Sequence, residues 1–288
     1  MYKTAVITDE ITQDIVVAAK LAKQYGLDAL EIRSVFDRNP FQMSMQDARE
    51  IKSVADDYGL KICCVASPLY KIDFADKQKQ TEHIEALKKT AEFMHLWKTN
   101  LIRGFTFLTS GELVPTFEEV AAAYEEPLKI AEDADFTFVI ESEPSVTTTS
   151  FLKLAEFLRV VNHKRVKALY DPGNEASDIS NPPAYPDGFE LLRPEIRHVH
   201  IKDILGTKSG FEPAMIGEGG VDYDGLIPFL KKEYTGYCSI ETHYRITSHL
   251  TDEELVHPQG SGFSLGGEEA TIAYLDRLDK RWRWRESL

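Results

Sequence analysis

The sequence has few cysteines and no long hydrophobic run. Only three of its 288 residues are cysteine, and two of them, Cys63 and Cys64, are adjacent in an apolar stretch. So few thiols exclude a disulfide scaffold and fit a reducing compartment. No stretch approaches the roughly 18 apolar residues that cross a bilayer, and the first residues show no apolar core of a secretion signal. These absences predict a cytoplasmic protein with no disulfide and no membrane partner.

The chain also lacks an excess of basic residues. Lys and Arg total 33 against 47 Asp and Glu, which gives a net charge of −14. Such a charge repels polyanions unless a local basic patch overrides it. The clearest basic cluster, residues 280–285, alternates with Trp282 and Trp284, which is more typical of a helix end packed on a core. We therefore expect no nucleic-acid partner.

Short apolar runs rich in β-branched residues recur along the chain, with amphipathic stretches between them. This alternation is typical of βα units around a parallel sheet. Eight runs can be counted, at 4–8, 29–33, 61–66, 101–107, 136–140, 166–170, 198–201 and 237–240. An open doubly wound sheet is the alternative, but no Gly-rich nucleotide loop follows an early run. Because α/β barrels of this length are common, we predict a (β/α)8 TIM barrel, a single domain over residues 1–288.

The amphipathic stretches predict the helices of this barrel. Leu87, Ala91 and Met94 share one apolar face of the stretch 81–98, as a helix packed on a sheet requires. Further helices are predicted at 14–25, 44–58, 116–133, 148–161, 224–233 and 268–281. Prolines between the sixth and seventh strands leave room for only a short helix. The stretches 205–222 and 244–267 are predicted to be irregular loops.

Four successive predicted strands each end with an acidic or imidazole side chain. These side chains are Glu141, Asp171, His200 and Glu241. In a closed barrel the carboxyl ends of the strands meet at one face, so the four should converge. Any one could be a chance surface group, but buried carboxylates brought so close need a counter-ion. Three carboxylates and one imidazole suit Mn²⁺, Mg²⁺ or Co²⁺ and tolerate Zn²⁺, so one divalent metal ion is predicted.

Three segments carry a resemblance to the xylose isomerase-like superfamily, in its sugar phosphate isomerase/epimerase branch. They are HVHIKD at 198–203, IGEGGVDY at 216–223 and SIE at 239–241. The resemblance extends over nearly the whole chain and implies that the four strand-end groups bind the ion. It implies His200 rather than His198 as the imidazole ligand.

The resemblance also implies a reaction. Family members generally bind a ketose or aldose through two oxygens on the metal, which acidifies the neighbouring C–H group. Glu141 and Glu241 would be the acid/base pair that transfers protons through a metal-stabilised enediolate. The implied function is a metal-dependent isomerase or epimerase of a sugar or sugar phosphate, with a small-molecule sugar or polyol as its partner. The oligomeric state is open, and a homo-oligomer is compatible with the sequence.

One position departs from the family pattern. Many epimerases of the family have a histidine three residues after the aspartate of strand six, where this sequence has Asn174. A neutral amide cannot shuttle a proton as imidazole does, so a metal-dependent dehydratase of a keto-cyclitol or related keto-sugar is the first alternative. An apurinic endonuclease-like nuclease fits the acidic charge and few histidines poorly. A non-catalytic sugar-binding barrel is the remaining alternative.

Other polar residues near the strand ends are predicted to contact the substrate: Glu143, Asn174, Lys202, Arg33 and His243. For Arg33 the alternative is an internal ion-pair network with Glu31, and for His243 a role in supporting a ligand. Glycines at 217–220 and 260–267 suggest a phosphate site after strands seven and eight.

Overall fold

A closed barrel of eight parallel strands forms the body of the molecule. The computed structural model describes residues 2–207, 210–246 and 266–285. The barrel strands are β1 (Lys3–Ile7), β2 (Ala29–Ile32), β3 (Lys61–Leu69), β4 (Leu101–Gly104), β5 (Thr137–Glu141), β6 (Val166–Tyr170), β7 (Ile196–Ile201) and β10 (Tyr237–Ile240). Their order around the barrel is β1, β10, β7, β6, β5, β4, β3, β2. The predicted TIM barrel is confirmed, while the domain bounds 1–288 stay a prediction.

α-Helices follow each of the eight barrel strands along the chain. They are α1 (Thr8–Ile11), α2 (Ile15–Gln24), α3 (Met45–Asp57), α4 (Lys77–Trp97), α5 (Phe117–Ala123), α6 (Glu125–Asp133), α7 (Phe151–Val161), α8 (Pro172–Ala176), α9 (Phe189–Leu192), α10 (Tyr223–Glu233) and α11 (Gly267–Trp282). Side chains of Asp14, Ser44, Asp76 and Ser150 accept backbone N–H groups at helix starts, as N-caps do. None of the described helices is long and apolar enough to span a membrane.

The single helix predicted at 116–133 is wrong, because the structure divides it into α5 and α6 at Tyr124. Pro127 lies in the first turn of α6. A proline ring clashes with the carbonyl four residues earlier, here that of Ala123, so the first helix has to end there. The apolar residues keep their helical spacing across this break, and that spacing is why the sequence predicts one continuous helix.

The stretch 205–222 was predicted to be irregular, and this prediction is also wrong in part. Strands β8 (Asp203–Thr207) and β9 (Gly210–Ala214) form an antiparallel hairpin after β7. The hydroxyl of Tyr274, on α11, accepts the N–H of Asp203 and donates to the carbonyl of Ala214. One side chain of the last helix therefore joins both ends of the hairpin. The second predicted loop, 244–267, lies mostly outside the described residues.

The barrel interior is divided into an apolar layer and a charged layer. A separate cluster of buried apolar side chains from five of the strands forms the lower layer: Ala5, Ala29, Cys63, Cys64, Val139 and Leu169. A larger apolar core packs between the strands and the surrounding helices. Above the lower layer, toward the carboxyl ends of the strands, the interior contains buried carboxylates, imidazoles and basic groups. This charged layer is the candidate site.

Candidate metal centre

The four strand-end groups predicted to bind a metal lie together. Glu141 ends β5, Asp171 follows β6, His200 is on β7 and Glu241 follows β10. Each offers one ligand atom, and these atoms all lie within 4.8 Å of one another. From His200 Nδ1 the nearest carboxylate oxygens of Glu141, Asp171 and Glu241 are 3.7, 3.5 and 3.1 Å away. We call these four residues the ligand cluster.

Local backbone structure fixes how Asp171 faces this cluster. Asp171 is the N-cap of α8, and its Oδ1 accepts the N–H of Asn174 at 2.9 Å. Pro172 occupies the first helical position, where its missing N–H costs nothing. The helix start therefore uses one oxygen of the carboxylate and leaves Oδ2 directed at His200. The sequence Asp-Pro-Gly-Asn produces both the cap and the orientation.

Three basic side chains reach the carboxylates of the cluster. Arg103 Nη1 donates to Glu141 Oε2 at 2.9 Å, and Arg33 Nη1 donates to Glu241 Oε1 at 2.6 Å. Lys202 Nζ lies 2.8 Å from both Asp171 Oδ2 and Glu241 Oε2. The argument that these carboxylates would lack any counter-charge without a metal is therefore wrong, because the protein itself supplies part of it.

The neighbouring charges of the cluster shift the pKa of each of its groups so that the charged form is favoured. Burial alone would raise the pKa of Glu141, but Arg103 and His200 hold it below its usual range. Burial acts in the same way on Glu241, whose pKa is nevertheless held well below 4.5 by Lys202, His243 and His200. Burial would lower the pKa of His200, yet Glu31 and Glu241 raise it well above 6.5. Both glutamates are therefore carboxylates at neutral pH.

The predicted substrate-contacting residues divide into those at the cluster and one beside it. Asn174 Nδ2 donates to Glu141 Oε1 at 3.0 Å, and His243 Nε2 lies 3.2 Å from Glu241 Oε1. Lys202 and Arg33 contact the cluster as described above. Glu143 instead accepts from Lys71 Nζ at 2.6 Å and is a neighbour of the cluster rather than part of it.

The predicted ion-pair network of Arg33 exists with partners that sequence reasoning did not assign. Arg33 donates to Asp9 and Glu10 at 3.0 and 2.5 Å, besides its contact with Glu241. Glu31 lies against the imidazoles of His198 and His200 at 2.7 and 3.1 Å. Glu31 in β2 and Arg33 directly after it thus contact different parts of the charged layer.

The glycine stretch 217–220 has a different role from the suggested phosphate site. The side chain of Asp203 accepts the N–H groups of Gly217, Gly219 and Val221 at 2.8 to 3.3 Å. These N–H groups therefore already bind a carboxylate of the protein itself. The second glycine stretch, 260–267, lies mostly outside the described residues.

The chemistry of the cluster fits a divalent cation. Among the described residues, Asp171 Oδ2 and His200 Nδ1 are buried and make no hydrogen bond of good geometry. Asp171 Oδ2 is ion-paired with Lys202, whereas His200 Nδ1 faces the carboxylates of Glu141, Asp171 and Glu241. Buried polar atoms normally have a partner, and a cation between this nitrogen and the carboxylates would provide one. Three carboxylates and one imidazole form a suitable ligand set for Mn²⁺, Co²⁺, Mg²⁺ or Zn²⁺.

Residues 19–263 match the family model described as xylose isomerase-like TIM barrel. The chain belongs to this family. The xylose isomerase-like barrel is 23% identical over 241 residues to a 3-dehydroshikimate dehydratase of Bacillus anthracis, a match covering 82% of the chain and 83% of the relative.

Solved structures give the same fold. The xylose isomerase-like barrel superimposes on a D-allulose 3-epimerase from Methylomonas sp. with a TM-score of 0.72 at 16% identity, covering 97% of this chain and 98% of the other. It superimposes on the IOLI protein with a bound zinc atom with a TM-score of 0.70 at 18% identity, covering 96% and 97%. At such identities these likenesses establish the fold alone.

Sequence reasoning missed Arg103 in this xylose isomerase-like barrel. Arg103 lies inside β4 rather than after a strand end, and its guanidinium reaches the cluster from within the barrel. A basic residue between Ile102 and Gly104 in an otherwise apolar run was the available signal. A charge inside a buried strand normally has a buried partner, which here is Glu141.

Proposed function

We propose that the protein is a divalent-metal-dependent isomerase or epimerase of a sugar or sugar phosphate. The observation that carries this proposal is the convergence of four buried ligand atoms at the carboxyl ends of β5, β6, β7 and β10, among them His200 Nδ1, which makes no hydrogen bond of good geometry. Membership of the xylose isomerase-like TIM barrel family supports a sugar-modifying enzyme. A cytoplasmic location and a homo-oligomeric state stay predictions.

Glu141, Asp171, His200 and Glu241 would hold the ion, which supplies positive charge to the substrate's carbonyl and hydroxyl oxygens when bound. The two glutamates come from strands that are separated in the barrel by β6 and β7. A substrate seated between them would have one carboxylate on each side. Arg103 and Arg33 each bind one oxygen of these carboxylates and so fix their orientation.

The proposed proton path uses these two carboxylates. One glutamate accepts the proton from the carbon beside the carbonyl, and the electron pair of the C–H bond moves to the carbonyl oxygen, giving an enediolate. Isomerisation results when the same carboxyl returns its proton to the adjacent carbon and the hydroxyl proton moves from one oxygen to the other. Epimerisation results when a proton from solvent reaches the opposite face of the same carbon through the other glutamate, and the first glutamate then releases its proton to solvent. The lowered pKa values leave both carboxylates ready to accept the first proton.

The second candidate is a dehydratase of a keto-cyclitol or related keto-sugar. It is favoured by Asn174, which contacts Glu141 and offers no titratable group, and by the dehydratase relative from Bacillus anthracis. Here the same first proton transfer is followed by loss of the hydroxyl on the next carbon. The C–O bond breaks, a C=C bond forms, and a proton joins the hydroxide to give water.

Two further candidates have less support. The net charge of −14 opposes a nuclease of the apurinic endonuclease type, because DNA binding needs a basic surface. A sugar-binding barrel that catalyses no reaction would share the same ligand cluster. A measurement of substrate turnover distinguishes such a binding protein from an enzyme.

The test is incubation with Mn²⁺ in D₂O and a panel of ketoses, aldoses, sugar phosphates and 3-dehydroshikimate, followed by NMR and mass spectrometry. We expect deuterium uptake at one C–H position in the wild type and its loss in Glu141→Gln and Glu241→Gln. Glu175→Gln is the matched control, since Glu175 is a buried carboxylate outside the cluster. Loss of water would assign the dehydratase instead, and binding without exchange would assign a non-catalytic barrel.

A further inference from the structure

Beneath the ligand cluster, one carboxylate faces two imidazoles. Glu31 Oε1 is 3.1 Å from His200 Nε2, and Glu31 Oε2 is 2.7 Å from His198 Nε2. All three side chains are completely buried. The two imidazole rings are nearly perpendicular, at 81°, so a single carboxylate can meet both of their Nε2 atoms.

The geometry around His200 separates the two nitrogens of its ring. Nε2 faces Glu31 and Nδ1 faces Glu141, Asp171 and Glu241. A metal binds an imidazole through a lone pair, so His200 has to give up the proton of one ring nitrogen when the ion binds and keep the N–H of the other. If Nε2 carries the hydrogen and donates it to Glu31, the lone pair is on Nδ1, the atom that lacks a hydrogen bond of good geometry.

Burial of Glu31 also needs an explanation. A buried carboxylate is costly unless it is hydrogen-bonded, and burial alone would raise its pKa. His198 and His200 provide these hydrogen bonds, one to each oxygen of Glu31. Because β2 and β7 are separated in the barrel by β1 and β10, these contacts cross its interior rather than join neighbouring strands.

We propose that Glu31 is a positioning residue that accepts the Nε2–H of His200 and so directs the Nδ1 lone pair at the divalent ion, while His198 holds the second oxygen of Glu31. The inference rests on the proposed metal site. Carboxylates that orient a metal-binding histidine typically contribute 10-fold to 100-fold to metal affinity. Glu31 would thus act on the ion without contacting it.

The same three side chains also offer ligand atoms close enough for an ion of their own. That arrangement would make Glu31 a ligand rather than a positioning residue. The number of ions bound per chain separates the two, because the positioning role requires one ion and the alternative requires two.

The experiment is calorimetric titration with Zn²⁺ of the wild type, Glu31→Gln and Glu175→Gln. The glutamine side chain has a similar shape, but its single oxygen can accept from only one of the two imidazoles. We expect one ion per chain in the wild type, an affinity about 10-fold to 100-fold weaker in Glu31→Gln, and no change in Glu175→Gln. His198→Gln, which leaves Glu31 in place, is expected to weaken binding less, and it provides a second test should Glu31→Gln not fold.

A spectroscopic measurement separates positioning from a general loss of structure. In the zinc-loaded wild type, ¹⁵N NMR of the histidines is expected to show His200 protonated at Nε2 and bound through Nδ1. Binding through Nε2, two ions per chain, or unchanged zinc affinity in both variants would overturn the inference alone. A wild type that binds no Zn²⁺ would overturn the proposed metal site and the inference with it.

Discussion

The two halves of the barrel contribute to the site in different ways. The half containing β5, β6, β7 and β10 provides the four members of the ligand cluster, each at or near the end of a strand. The half containing β1 to β4 provides Glu31, Arg33 and Arg103, which contact the cluster across the interior. One half thus presents the groups proposed to bind the ion together with the basic side chain of Lys202, while the other half adds charged groups that reach them across the interior.

The largest expected effect follows from changing the ligand half. Asp171→Asn keeps an oxygen that can cap α8 but removes the negative charge facing His200. We expect zinc affinity to fall by more than the roughly 100-fold that a supporting group contributes at most. Isothermal titration compares this variant with Glu31→Gln from the other half. Equal losses in the two variants would contradict the division between the halves.

The next effect follows from changing the supporting half. Arg103→Met leaves Glu141 buried without its arginine, and breaking such a pair typically costs about 3–5 kcal/mol. Urea denaturation of the metal-free protein measures this loss. Adding Glu141→Gln to Arg103→Met should restore most of the stability, because the unpaired charge is then gone.

The control for that prediction is an ion pair whose basic partner is exposed to water. Arg38 pairs with Asp47 at 3.0 Å, with about half of its side chain exposed. Arg38→Met is expected to cost at most about 1 kcal/mol, since water screens such pairs. A loss in Arg103→Met no greater than this would show that the supporting half does not stabilise the cluster.

The smallest effect is a pH-dependent change in stability caused by Glu175, a buried carboxylate in the ligand half. No basic side chain among the described residues contacts it. Glu175 accepts the N–H of Phe151 at 2.8 Å, and burial raises its pKa to about 7. Since the folded pKa lies above the unfolded one, ionisation destabilises the fold progressively from about pH 4.5 to pH 7. Glu175→Gln should be more stable than the wild type by at most about 3 kcal/mol at pH 8 and equally stable near pH 4.5. Thermal melts across this range test it, and a difference independent of pH would contradict the assigned cause.

The barrel and the ligand cluster could be predicted because each depends on a local pattern. A short apolar run predicts a buried strand wherever it occurs in this chain. A polar residue directly after such a run lies at the strand end, as Asp171 and Glu241 do. That the four groups bind a metal stays a prediction, although the structure brings them together.

The partners of Glu31, Arg33 and Arg103 could not be predicted, because they depend on which side chains face each other after the barrel closes. Glu31 and His200 are 169 residues apart, and no local period links them. The glycine stretch 217–220 was misread for a similar reason. Its N–H groups are typical of an anion site, but the anion is the side chain of Asp203, 14 residues away from Gly217.

The hydroxyl of Tyr274 has a consequence for redesigning the enzyme. Since it binds Asp203 and Ala214, the paired residues at the base of the hairpin, the hairpin that follows Lys202 depends on a residue of the final helix. Grafting this hairpin from another family member to change the substrate would also require matching the helix that supports it. The natural unit for exchange is the hairpin together with Tyr274.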